Sequence, residues 1–100
     1  MRRLQLDPYV IDVLLPDLVG HDHRPSAFLV YLLLLRHGER GPRGTVRLSL
    51  QTIATRTGLS KSSVQSAIRH LKRRRLLDPD VEATVTAPVR RVLRPWLREA

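Results

Sequence analysis

The chain has 100 residues, 42% of them hydrophobic but few aromatic, so its core must be built from Leu, Val and Ile and is large enough for one small domain. It contains no cysteine, which excludes disulfides, thiolate zinc sites and thiol nucleophiles and is compatible with a reducing cytoplasm. A formal charge of +9 on so short a chain implies attraction to a polyanion.

At the amino terminus Asp7, Pro8, Asp12 and Pro16 interrupt any apolar run of the kind a signal peptide needs. Asp7-Pro8 predicts a helix start, with the aspartate capping and proline at the first helical position, where its missing amide costs nothing. Val10, Ile11, Leu14, Leu15 and Leu18 follow at helical spacing; Pro16 is expected to kink or split this helix and Gly20 to stop it. The polar stretch GHDHR, residues 20–24, reads as a connector. Its His21 and His23 are residues of a metal-ligating type, but alternate residues of an extended segment point apart and no third ligand stands near, so a solvated loop is expected. His37 is expected to sit at a helix end, and His70 on the flank of the helix described below.

Pro25 and Ser26 open a second predicted helix that runs to His37, with Gly38 as its stop. Residues 27–35 form an unbroken apolar run, well short of the roughly 20 residues that span a bilayer, so a soluble chain is expected. A helix apolar on every face must be covered on every face. Either the first helix and the carboxy-terminal segment cover it within one chain, or a second copy does; the favoured expectation is a homodimer through residues 8–37. Residues 39–45, ERGPRGT, read as a loop. The glycines around them lack the lysine-serine ending and the strand-to-helix context of a phosphate loop. TVRL, residues 45–48, alternates as a short strand does.

The stretch 49–77, SLQTIATRTGLSKSSVQSAIRHLKRRRLL, reads as two helices joined by a tight turn. Ser49 and Ser60 are the expected N-caps. Leu50, Ile53, Ala54 and Thr57 recur at helical spacing, and Gly58 supplies the left-handed conformation that ends a helix cheaply. In the second helix Val64, Ala67, Ile68 and Leu71 make one apolar stripe, which leaves Lys61, Ser62, Gln65, Ser66, Arg69, Lys72 and Arg73 outside it. Beyond a DPD turn, residues 81–93 are rich in valine and threonine. Spacing over residues 88–97 also fits a helix, but Pro95 would break it, so a strand returning from a wing is preferred. Trp96 is expected to anchor the tail on the domain, stacking on nucleic acid being the lesser alternative.

Charge follows this division. Residues 1–25 carry three basic and four acidic groups, whereas Lys61, Arg69, Lys72, Arg73, Arg74 and Arg75 stand together with no acid among them. Asp78, Asp80 and Glu82 reverse the sign, and Arg90, Arg91, Arg94 and Arg98 against Glu99 restore it.

The stretch IATRTGLSKSSVQSAIRHLKRRRLL resembles the helix-turn-helix core of winged-helix bacterial regulators and of phage or plasmid replication proteins. Ile53, Ala54, Gly58, Leu59, Ser60, Val64, Ile68, Leu71, Leu76 and Leu77 fill the slots of that pattern; Arg75 stands where it usually has glycine. The resemblance implies a mainly α fold with a small β-wing, a winged helix-turn-helix, in a single domain. The helix-turn-helix would occupy residues 49–75 and the wing and tail residues 76–100.

No constellation of catalytic groups is visible, so an enzyme is not expected, nor are a cofactor, a metal or a small-molecule effector. The leading expectation is sequence-specific binding of double-stranded DNA by a transcriptional regulator in the cytoplasm. The Ser60-capped helix would enter the major groove, with Ser62, Ser63, Gln65, Ser66 and Arg69 nearest the base edges; Gln65 suits adenine and Arg69 guanine. Lys61, Lys72, Arg73, Thr52 and Arg56 would meet phosphates, and Arg90 and Arg91 would do so from the wing. About six phosphate contacts give a log-log salt slope of about five. A protein-interaction module built on a winged helix and the DNA-binding part of a replication initiator are the alternatives.

Overall fold

The structure is a computed structural model that describes residues 3–39 and 41–97. Arg40 in the predicted loop, Arg2 at the start, and Arg98 and Glu99 in the tail charge balance lie outside the described residues.

The first segment starts as expected: Asp7 Oδ1 accepts from the Tyr9 amide at 2.9 Å, and its carbonyl accepts from Val10 N at 3.0 Å. It then winds as two π-helical pieces, Val10–Leu14 and Pro16–His21, joined at Leu15. The widened winding has a local cause in Pro16, which has no amide to donate and whose ring collides with the carbonyl four residues back. The helix therefore splits at the proline as predicted, but it runs through Gly20 to His21 instead of stopping there.

Helix α1 spans Pro25–Gly38 with Pro25 in its first turn. Gly38 is its last residue but keeps an ordinary negative φ, so left-handed freedom is not why glycine stands there. The reason is crowding: a Cβ at this position would lie 3.3 Å from both the Gly44 carbonyl oxygen and Val92 Cγ2. Most of α1 is enclosed by its own chain. Ala27, Phe28, Val30, Tyr31, Leu34 and Leu35 are buried, Leu32 and Leu33 are half-buried, and Leu29 is left 46% exposed. The cover comes from the first segment, from the helix at Lys61–Arg73 and from the tail. Tyr31 Oη donates to the Leu93 carbonyl at 2.7 Å, and the Trp96 ring stacks at a tilt on Tyr9 with centroids 5.7 Å apart, so Trp96 is the tail anchor the sequence predicts.

A single turn of 3-10 helix, Pro42–Gly44, leads into strand β1, Thr45–Arg47. Helices α2, Leu50–Thr57, and α3, Lys61–Arg73, follow with the predicted caps: Ser49 Oγ accepts from Thr52 N and Ser60 Oγ from Ser63 N, both at 3.1 Å. Gly58 ends α2 at φ +74°, and nothing lies within 4 Å of where its Cβ would be, so its role is the left-handed turn alone. Ile53, Val64 and Leu71 are fully buried in the same core as Val10, Leu18 and Leu34. Burial on that scale contributes about 1.5–3 kcal/mol per side chain, so the several buried side chains together outweigh the two caps at about 0.5–2 kcal/mol each, and packing holds the two helices at their angle.

The end of α3 resolves the substitution of Arg75 for glycine. Arg75 itself takes the left-handed conformation, φ 54°, that glycine would supply. Its amide bonds to the Lys72 carbonyl at 3.1 Å and the Leu76 amide to the Leu71 carbonyl at 2.9 Å, the two bonds of a Schellman turn, with Leu71 and Leu76 both buried against the core.

Strand β2 is Val89–Arg91, antiparallel to β1 with Val46 opposite Arg90. Leu77 bridges Val92 on the other side, reinforced by Asp78 N to Arg91 O at 2.9 Å. The strand alternative for residues 81–93 is thus the correct one in kind but far shorter than expected: residues 78–88 form an irregular wing closed by a turn in which Thr84 N bonds to Ala87 O at 3.0 Å. The result is a mainly helical single domain with a small two-stranded antiparallel sheet, as a winged helix-turn-helix requires. Among the described residues no helix is long and apolar enough to cross a membrane, and no cluster of three or more His, Asp or Glu is placed to hold a metal.

Candidate nucleic-acid interface

The Ser60 cap and the buried stripe Val64, Ala67, Ile68, Leu71 fix which way α3 turns, because apolar residues at that spacing can be buried only in one rotation. The opposite side is the outward one. Ser62, Gln65, Arg69 and Arg73 are exposed there, with Lys61 at the first turn and Ser66 and Lys72 at the edges, half-buried. Among the described residues the side chains of Lys61, Gln65, Arg69 and Lys72 have no hydrogen bond or ion pair, so none would have to break an internal contact to reach a ligand.

The other predicted residues are more committed. Ser63 Oγ accepts from Ser60 Oγ at 3.0 Å and its amide is the capped one, so Ser63 belongs to the N-cap and is half-buried; Ser62 Oγ lies 3.2 Å from Ser60 Oγ at the exposed rim of the same cluster. Ser66 Oγ accepts from Arg24 Nη1 at 3.4 Å. Arg73 Nη2 lies 3.4 Å from His70 Nδ1. On α2, Thr52 Oγ1 accepts from Ser49 Oγ at 3.0 Å, and Arg56 Nη1 lies 3.1 Å from His37 Nε2.

The two wing arginines are placed otherwise than expected. Arg90 is buried, 7% exposed, and Nη1 donates to the Leu48 carbonyl at 2.9 Å; burial alone pushes its pKa down. Register explains the burial: on a three-residue strand the middle side chain points to one face and its neighbours to the other, and the face Arg90 shares with Val46 is the core. Arg91 Nη1 pairs with Asp78 Oδ2 at 3.2 Å, and Nε donates to the Arg43 carbonyl at 3.0 Å. Asp78 is held below the usual carboxylate range first by the Asp80 amide and also by Arg91. Both arginines thus stitch the wing to the domain, and Arg90 is not presented to a phosphate.

A cluster that spacing does not reveal joins the connector to α3. Asp22 Oδ2 accepts from His70 Nε2 at 2.8 Å and from Arg74 Nε at 3.1 Å, while its Oδ1 lies 2.9 Å from His21 Nδ1. These contacts hold the Asp22 carboxyl below the usual range, His21 contributing most, then His70, with Arg74 adding its charge. Arg74 Nη2 also reaches Asp17 Oδ2 at 3.2 Å. Arg74 is therefore neutralised within the fold, and the basic run at the end of α3 presents fewer free charges than its sequence implies. His70 is a structural link, not merely a flank. The pairs made by His70 and Arg74 lie 48 and more positions apart in the chain, so no local pattern signals them.

In composition and shape the outward face of α3 is a polar, cationic ridge carried on a rigid helix whose start is exposed, which is the form a major-groove reader takes. A family model for the helix-turn-helix domain matches residues 24–77. No curated protein and no solved structure matches the chain. The matched region takes in α1, β1, α2, the Gly58 turn, α3 and the Schellman turn, more than half of the sequence, and the chain belongs to the helix-turn-helix domain family.

Proposed function

We propose that this protein is a sequence-specific double-stranded DNA-binding regulator of transcription, acting in the cytoplasm, that inserts α3 into the major groove. The observation that carries the reading is the unpaired set of exposed Lys61, Gln65 and Arg69 and half-buried Lys72 on one side of a helix whose other side is locked into the core. Gln65 and Arg69 lie one helical turn apart, so both can address neighbouring base pairs, Gln65 an adenine and Arg69 a guanine. Lys61, Lys72 and Arg73 meet phosphates on either side, with Thr52 in the first turn of α2 and Arg56 in its last. Ser62 and Ser66 add short-range contacts that discriminate weakly; Ser63 serves through the cap.

Binding as a homodimer belongs to this reading. Leu29 on α1 and Ile11 on the first segment are each 46% exposed, which supports contact between copies through residues 8–37. Enclosure of most of α1 within one chain makes the expected contact smaller than the apolar run by itself implies.

The test is fluorescence anisotropy with random-sequence duplex and with duplex selected from a random pool, at low and moderate salt. A selected site should bind tighter than random duplex, and Arg69→Ala should cost about 1–3 kcal/mol on the selected site and little on random duplex. Equal loss on every sequence would remove Arg69 from base reading. No binding by wild type in low salt would end the DNA reading and favour a protein-interaction module.

A further inference from the structure

A winged domain has two flanks beside its reading helix on which a duplex can rest. In this chain the wing is a poor one. Residues 78–88 carry Asp78, Asp80 and Glu82 and no basic residue; Arg90 and Arg91 at its base are spent inside the fold. Its tip is held to β1 by Arg47 Nη2 to Thr86 O at 3.1 Å, and Val85 there is fully exposed. A phosphate backbone laid on that loop would meet carboxylates.

The connector has the opposite character. Its one acid, Asp22, is turned inward onto His70 and Arg74, with its side chain only 9% exposed. His21, His23 and Arg24 are left outside. Arg24 is positioned, not floating: its amide bonds to the Leu18 carbonyl at 2.7 Å, the Asp22 pairs bolt the chain to α3 two residues before it, and its guanidinium reaches Ser66 Oγ at 3.4 Å. Ser66 lies one turn before His70 on α3 and borders the row Ser62, Arg69, Arg73. The guanidinium thus stands at the margin of the proposed base-reading face, held by a single long, exposed hydrogen bond that a phosphate oxygen would readily replace.

We infer that Arg24 is a phosphate-binding residue of the DNA interface, and that the duplex is gripped by α3 together with the connector at residues 21–24 instead of by the wing. The inference rests on the DNA-binding reading above. It adds a contact 42 positions away in the chain from the helix it serves. Because the ligand is a phosphodiester, Arg24 adds affinity and fixes register but does not select sequence.

The experiment compares wild type, Arg24→Ala, Arg24→Lys, Arg69→Ala and the wing variant Asp80→Asn/Glu82→Gln by anisotropy on random and selected duplex across a salt series, with thermal unfolding of each to confirm the fold. Arg24→Ala should weaken both duplexes alike, by about fivefold to tenfold at 0.1 M salt, and lower the log-log salt slope by about one, the share of one phosphate. Arg24→Lys should keep the slope, and the wing variant should match wild type. An unchanged slope and affinity in Arg24→Ala, with Arg69→Ala still impaired, would overturn the connector contact and leave the DNA reading standing. Tighter binding by the wing variant would put the wing against the backbone and overturn the asymmetric grip. Absence of any wild-type binding would remove both.

Discussion

Arg75 holds φ 54° at the position that closes α3, and the consequences of replacing it can be worked through. A residue with a Cβ in the left-handed region costs about 1–2 kcal/mol. Glycine removes that cost but loses more freedom on folding, by about 0.5–1 kcal/mol. Arg75→Gly should therefore stabilise the domain by about 1 kcal/mol, which for a chain of this length raises Tm by about 4–8 °C. Far-UV circular dichroism on heating, and urea titration with an unchanged m value, measure it. Arg75→Ala separates charge from conformation, since it removes the same positive charge from the run 72–75 but keeps the Cβ; it should change Tm little. Gly58→Ala is the mirror experiment: with no atom within 4 Å of the new Cβ, the loss of about 1 kcal/mol is backbone conformation alone. If Gly58→Ala costs the expected amount while Arg75→Gly leaves Tm unchanged or lowers it, the strain assigned to Arg75 is refuted, and its side chain contributes a compensating contact.

Two further predictions concern groups that the fold has drawn inside. Arg90→Met, which keeps the length of the stem and deletes the guanidinium, should leave the salt slope of DNA binding unchanged, whereas Lys72→Ala should lower it by about one; a reduced slope in Arg90→Met would mean that the arginine leaves its site on the Leu48 carbonyl to meet DNA. Asp22 has its folded-state carboxyl below the usual range, so its contribution to stability is present above the unfolded-state pKa and is lost as pH falls through the folded value. Urea titrations should accordingly find Asp22→Asn less stable than wild type near neutral pH, with the gap narrowing from about pH 5 downward; a gap that is constant into acid would show that the carboxylate's contacts with His21, His70 and Arg74 are not its source.

Much of this protein was legible in its sequence because the relevant physics is short-range. Ser49 and Ser60 cap helices by bonding to amides three residues on, Gly58 turns the chain by its own φ, and the stripe from Val64 to Leu71 faces inward because helical spacing leaves it no other side. Those local constraints determined the two helices, their turn and the outward position of Gln65 and Arg69. Tertiary structure decided which charges remain available. Arg90 and Arg91 are adjacent and alike in sequence, yet strand alternation buries one in the core while an aspartate 13 positions away claims the other. Arg74 sits within a basic run and is neutralised by Asp17 and Asp22 from the first quarter of the chain, while Arg24, in a stretch with no net basic character, is carried to the edge of α3. Enclosure of α1, too, depended on where Leu93 and Trp96 return. A side chain's type and spacing are written locally, but its partners are set by chain segments that only the folded core brings within a few ångströms.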